Sequence, residues 1–210
     1  MELFPPNKTS FHLPQAEINY FPNFLIKPEA DKLFKILLSQ TPWQNDEITV
    51  FGKTYPQPRL TAYYSTINTS YSYSNITMGS KPFPDYLEKI RLKIEQATNE
   101  TFNAVLLNLY RNGQDCNGWH ADNEKSLGVN PVIASLSLGA ERTFNFKHRK
   151  IKDEKHKINL HHSSLLIMKG EMQHHWLHQI PKTKKQKEAR INLTFRYINE
   201  KTEIPQSRFS

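Results

Sequence analysis

With 210 residues, 37% of them apolar, the chain is long enough to bury a sizeable core and too apolar to be read as disordered. A net charge of +8 directs attention to polyanionic partners, nucleic acid first among them. One cysteine, Cys116, excludes an intramolecular disulfide and fits a reducing compartment. The N-terminus has no apolar leader, and no run approaches the roughly 18 apolar residues of a membrane span. A soluble protein inside the cell is expected, cytoplasmic in a bacterium or nuclear in a eukaryote.

Residues 1–15 are polar and interrupted by prolines, and are expected as a flexible arm. Pro28-Glu29 opens a first helix, since proline suits the first helical position. Ala30, Leu33, Phe34, Leu37 and Leu38 then follow helical spacing. From Ile48 to Val50 a strand runs to Phe51-Gly52, a turn that leads on to Lys53. Pro84-Asp85 opens a second helix, with Leu87, Ile90, Ile94 and Ala97 as its apolar stripe. After Phe102 the pattern changes to period two or to short apolar runs. Strands are expected at 102–110, 132–138, 142–148, 158–161, 164–169 and 190–198. Close spacing, with turns at Leu138-Gly139 and Lys169-Gly170, suggests a sandwich or jelly roll: mainly β, with flanking helices. One domain over 16–200 is expected, with a tail from 201 to 210.

The first chemical motif is Trp119-His120-Ala121-Asp122. On an extended chain the imidazole and the carboxylate, two residues apart, point the same way. A second histidine cluster follows at His174, His175 and His178. Two histidines and one carboxylate make the facial triad that holds non-haem iron(II) and leaves positions open for a chelating oxo acid and dioxygen. His-x-Asp also occurs by chance, and three histidines compete for the distal position. The last strand sharpens the reading. Alternation puts Arg190, Asn192, Thr194 and Arg196 on one face and Ile191, Leu193, Phe195 and Tyr197 on the other. That polar face is either solvated or lines a pocket for a small dianion, which arginine grips with a two-pronged fork. Asn108 and Tyr110 share a face in the same way and can add hydrogen bonds to the same dicarboxylate.

These segments occur in a recognisable order: Asn108 to Gly113, Trp119 to Glu124, Pro131 to Arg142, Ser164 to Met168, Trp176 to Pro181 and Arg190 to Arg196. The order resembles the AlkB family of iron(II)- and 2-oxoglutarate-dependent nucleic-acid demethylases, over roughly residues 45–198. The resemblance implies a double-stranded β-helix with an N-terminal nucleotide-recognition lid at 45–80. It assigns His120, Asp122 and His178 to iron, and prefers His178 because Trp176-Leu177 precedes it and Ile180-Pro181 follows. It gives 2-oxoglutarate to Asn108, Tyr110, Arg190, Asn192 and Arg196, with Arg196 on the distal carboxylate.

For the substrate, the resemblance to a duplex-acting subgroup implies that Phe51 wedges into the base stack. Arg59 would contact the gap or a phosphate. Tyr73 would stack on the flipped base opposite His120, Tyr71 would bond near it, and Glu124 would accept from an exocyclic amine. Lys53, Lys182, Lys184 and Lys185 are expected at the DNA backbone. The chain departs from the subgroup at Asn123, where aspartate is usual, at Ser65, and at Asn75, where glycine is usual. The implied reaction oxidises the methyl group of 1-methyladenine or 3-methylcytosine and releases formaldehyde. Implied cofactors are iron(II), 2-oxoglutarate and dioxygen; the partner is DNA, double- or single-stranded, met by a monomer with no membrane. Alternatives are an RNA demethylase, a protein or small-molecule hydroxylase, and a non-catalytic damaged-base binder.

Overall fold

The computed structural model describes residues 8–50, 53–67, 70–73 and 76–199, with backbone alone at 48–50, 70–73 and 76–78. Strands β1 (Thr9–Leu13) and β2 (Ala16–Phe21) precede helix α1 (Lys27–Gln40). Then come β3 (Glu47–Val50), β4 (Lys53–Pro56), β5 (Leu60–Ser65), β6 (Ser70–Tyr73), β7 (Ile76–Gly79) and helix α2 (Asp85–Thr98). The second half holds β8 (Ala104–Tyr110), β9 (Asn117–His120), β10 (Ile133–Gly139), β11 (Arg142–His148) and β12 (Lys155–Leu160). It closes with β13 (Ser164–Lys169), the short helix α3 (Met172–His175), β14 (Trp176–Ile180) and β15 (Arg190–Arg196).

Two antiparallel sheets face each other, one ordered β1-β2-β13-β10-β15-β8-β5 and the other β12-β11-β14-β9. This is the jelly roll that the close strand spacing suggested. The larger sheet is buried on both faces, so its central strands lose the simple polar-out alternation. On one face Leu107, Leu136, Leu165 and Leu193 pack against Ala30, Leu33 and Leu37 of α1 and Leu87, Ile90 and Ile94 of α2. On the other face Leu106, Ile133 and Leu166 meet Phe144, Phe146, Ile158 and Trp176 of the smaller sheet. Each fully buried aliphatic chain contributes about 1.5–3 kcal/mol, so these two layers dominate the fold's stability.

Both helices start where proline predicts: Pro28 lies in the first turn of α1, and Pro84 is the N-cap of α2. Leu38, expected in the α1 stripe, is instead 43% exposed. The stripe needs only the narrower arc of Ala30, Leu33 and Leu37. Residues 9–13 of the expected arm form an edge strand paired with β2, tied down because Trp176 donates to Pro14 O at 2.9 Å. Part of the expected lid is core: β5 pairs with β8 along its whole length. The remainder supplies the hairpins β3-β4 and β6-β7. The expected turn at Phe51-Gly52 falls between β3 and β4 but, like Asn75 and the tail from 201, lies outside the described residues.

Candidate metal centre and anion pocket

β9 and β14 are antiparallel neighbours, and their register sets His178 directly opposite His120. The two rings meet edge-on with centroids 4.2 Å apart. Two residues beyond His120 the chain presents Asp122. One ligand atom from each of His120, Asp122 and His178 falls within a cluster no wider than 4.8 Å. His174 and His175 are outside it. Helix α3 leaves His174 exposed, and His175 stacks on His148 and lies 3.5 Å from Glu171.

The protonation states suit a metal, which needs neutral imidazoles and an ionised acid. Burial pushes His178 down to about 3, helped by His120. Burial likewise lowers His120. Burial alone would raise Asp122, but Arg196 and the two histidines outweigh it and hold the carboxyl at about 2. His120 Nδ1 lies 2.7 Å from Gly118 O. A carbonyl can only accept, so Nδ1 carries the hydrogen, and the Nε2 lone pair, which accepts from Asn117 Nδ2 at 3.1 Å, is the one a metal would take. Phe144 stacks on the His178 ring at 5.2 Å, closing one side to water.

These shifts set an expected pH dependence for the metal-free protein. His178 falls from an ordinary 6.5 to about 3, so below pH 6.5 the unfolded chain takes up a proton that the folded one refuses. Stability should drop by roughly 1.4 kcal/mol per pH unit from that group. Asp122 adds a further loss only as pH falls from 3.8 towards about 2. Urea unfolding at pH 7, 6 and 5 measures the slope, which His178→Phe should reduce.

Gln173 was not legible in the sequence. It lies on α3, is fully buried, and its Oε1 accepts from the backbone N–H of Asp122 at 2.9 Å. That bond fixes the chain at the carboxylate. Gln173→Leu is expected to weaken metal affinity roughly 10- to 100-fold while the fold survives. Titration of cobalt(II), followed by its d–d absorption, would read this without any turnover.

The polar face of β15 is not solvated. β15 runs between β10 and β8, under the smaller sheet, and Arg190 and Arg196 are only 1% and 5% exposed. Arg190, Asn192, Thr194 and Arg196 line one cavity with Asn108, Tyr110 and the three candidate ligands. Arg190 Nη2 donates to Ser137 Oγ at 2.8 Å, and Asn192 Nδ2 donates to Ser135 Oγ at 2.8 Å. Ser135 and Ser137 lie in the Pro131 to Arg142 segment without a role legible there, although their alternation in β10 matches that of β15. Nε and Nη1 of Arg190 are buried and make no hydrogen bond of normal geometry among the described residues, while the nearby Tyr110 hydroxyl favours the charged guanidinium. Burial lowers Arg190 to about 10, so it stays cationic at neutral pH. A buried cation paired with no carboxylate among the described residues fits an anionic ligand, and the triad fits a divalent metal, so the residues suit iron(II) together with a dicarboxylate.

One expected role is corrected. Arg196 Nη2 lies 3.0 Å from Asp122 Oδ1, at the metal end of the cavity, so it is misplaced for a distal carboxylate. Arg190 sits at the other end, with its guanidinium carbon 5.1 Å from the Tyr110 ring centre. Arg59 also departs from expectation. It is 3% exposed and turned into the cavity, where Nε donates to Asn108 Oδ1 at 2.7 Å, so its guanidinium is not presented to an outside phosphate. Glu124 is half-buried at the start of a short 3-10 turn, outside the cavity lining. Lys53, Lys182, Lys184 and Lys185 are exposed. Tyr71 and Tyr73 fall in β6, but their side chains, like Phe51, lie outside the described residues.

No described helix is long and apolar enough to cross a membrane. The family model described as "2OG-Fe(II) oxygenase superfamily" matches residues 17–196. The human protein named alpha-ketoglutarate-dependent dioxygenase alkB homolog 3 is 42% identical over 192 residues, covering 87% of this chain and 66% of its own length. The mouse DNA oxidative demethylase ALKBH2 is 36% identical over 182 residues, covering 82% of this chain and 76% of its own length. The chain thus spans just under two thirds, 66%, of the length of the human protein. The solved structure of OsALKBH1 superposes with a TM-score of 0.62 at 17% identity, over 90% of this chain and all of that one, which speaks for the fold alone. The matched family model, these relatives and the paired imidazoles beside a buried guanidinium agree: this chain belongs to the AlkB family of 2OG-Fe(II) oxygenases.

Proposed function

We propose that the chain is an oxidative demethylase of DNA, acting on bases such as 1-methyladenine and 3-methylcytosine and releasing formaldehyde. One observation carries the reading: the cluster of half-buried His120 with buried Asp122 and His178 shares a cavity with Arg190, a buried cation paired with no carboxylate among the described residues. The name of the mouse relative, a DNA oxidative demethylase, supports the substrate class.

In this reading His120, Asp122 and His178 hold iron(II), which, when bound with 2-oxoglutarate and dioxygen, supplies the oxidation of a methyl C–H bond. Each of the other steps falls to the chain's own groups. Arg190 grips the distal carboxylate of 2-oxoglutarate, with Tyr110 beside it. Asn108 and Asn192 orient the co-substrate chain. Arg196 neutralises Asp122 and keeps it ionised, so that it never competes as an acid. Phe144 and the two-sheet sandwich exclude bulk water. Tyr71, Tyr73, Glu124 and Phe51 remain assigned to the flipped base and its gap, while Arg59 turns inward and holds Asn108. Lys53, Lys182, Lys184 and Lys185 remain assigned to the DNA backbone. Methylated bases suit such a site because they pair poorly and cost less to extrude.

The test supplies iron(II), 2-oxoglutarate and air to the full chain, with an oligonucleotide bearing one 1-methyladenine. Formaldehyde should appear, and the oligonucleotide should lose one methylene in mass. Matched single-stranded DNA, duplex DNA and RNA rank the substrates. If succinate forms without formaldehyde from any of them, the demethylase reading is wrong and a hydroxylase acting on something else takes its place.

A further inference from the structure

A row of side chains crosses the outer face of the smaller sheet. Antiparallel register sets Lys147 of β11 opposite Lys155 of β12, and Asn145 opposite Lys157. On the other side β11 pairs with β14, and β14 with β9. Lys147 reaches across β14 so that Nζ stands 4.3 Å from the centre of the Trp119 ring on β9. Trp119, Lys147, Lys155 and Lys157 line a groove of about 490 Å³.

Sheet packing does not account for this row. Like charges directly opposed across a ladder weaken it. Yet Lys147 faces Lys155, and neither they nor Lys157 have an ion-pair partner among the described residues. Glu154, next in sequence to Lys155, is taken by His156 at 2.8 Å. Trp119 leaves 40% of its surface in water. It directly precedes His120 on β9, the edge strand of the smaller sheet, so the two side chains point to opposite faces and a strand leaving the metal cavity reaches the groove by rounding that edge.

We infer that this groove holds unpaired nucleotides of the substrate strand that flank the base being processed. Phosphates follow the lysine row and one base lies on Trp119. The inference rests on the nucleic-acid reading of the site and adds where the strand runs on leaving it. A cationic track with an aromatic platform is what single-stranded nucleic acid requires, and stacking serves any base. A duplex keeps its bases inside and offers the ring nothing to stack on. An acidic peptide answers the charge but not the indole.

The test is equilibrium binding of a labelled, unmethylated oligothymidylate of about 12 nucleotides to the full chain, by fluorescence anisotropy across a salt series. The double variant Lys155→Glu/Lys157→Glu should bind at least about tenfold more weakly, with a salt slope shallower by about 1.4 units, near 0.7 for each lost phosphate contact. Trp119→Ala should lose at least about fivefold, while Trp119→Phe keeps most of the affinity. Binding should also quench tryptophan fluorescence in the parent more than in Trp119→Phe, which keeps only Trp43, half-buried against the helix-side core, and the fully buried Trp176. All three variants sit on an outer face, and matched thermal melts establish that each is folded. Unchanged affinity and slope in the charge-reversed protein would overturn the inference. So would poly-glutamate or blunt duplex DNA competing as well as the single strand. The assay needs no turnover, so its failure leaves the formaldehyde test standing, and the reverse also holds.

Discussion

Asp122→Ala is expected to take formaldehyde release below detection and to destabilise the metal-free protein at the same time. The carboxylate is the one anionic member of the triad, so its loss removes the ligand that best binds a hard divalent cation. Its second loss is structural. Arg196 is 5% exposed and 3.0 Å from Asp122, so the alanine leaves a buried guanidinium without its counter-charge. Breaking a buried pair in this way costs about 3–5 kcal/mol. For a domain of this size each kcal/mol is worth roughly 2–4 °C in Tm, so a fall near 10 °C is expected. Thermal melts of the apo protein and cobalt(II) titration separate the two effects. Combining Asp122→Ala with Arg196→Met should restore most of the stability and none of the metal binding. If the double variant recovered metal affinity, Asp122 would not be a ligand.

Arg190→Met is expected to raise the KM for 2-oxoglutarate by roughly 100-fold or more, since each hydrogen bond to a charged group is worth about 1.5–3 kcal/mol. The same change should leave the apo protein as stable as before, or more so. Arg190 is 1% exposed, with Ser137 and the Tyr110 hydroxyl beside it and no carboxylate paired with it among the described residues, so the pocket carries a buried cation without a counter-charge. Replacing such a charge with an apolar chain of similar volume is often neutral or stabilising. Arg190→Lys should not rescue the KM, because an ammonium cannot offer the two-pronged fork. The check is initial rates of succinate formation against 2-oxoglutarate, with melts with and without the co-substrate. Equal KM values in parent and variant would move the distal carboxylate elsewhere in the cavity.

The two predictions reverse an expectation drawn from the sequence. Arg190 and Arg196 alternate on one strand face and look equivalent there. Only the packing of Asp122 beside Arg196 distinguishes the metal end from the far end. The strands that carry the triad show the same limit. β9 contains a glycine, and β14 follows a histidine-rich turn, so neither has a run long enough to read as a strand. Both exist because β11 and the larger sheet give their alternating residues something to cover. Gln173 gave no signal, since a glutamine in a polar stretch is normally exposed, and here it is fully buried. Arg59 looked like a surface contact until β5 proved to be part of the larger sheet, which aims it inward.

The sequence by itself determined the elements whose causes are local. Pro28 and Pro84 start the two helices, and period-two alternation defines β11 and β15. Ordered motifs determined the family and the identity of His120, Asp122 and His178 as candidates. Tertiary structure decided which histidine faces His120, which arginine meets the metal end, and which polar side chains are buried. Those outcomes depend on strand register and on two sheets closing over one cavity. Such contacts join residues far apart in the chain, and no local propensity encodes them.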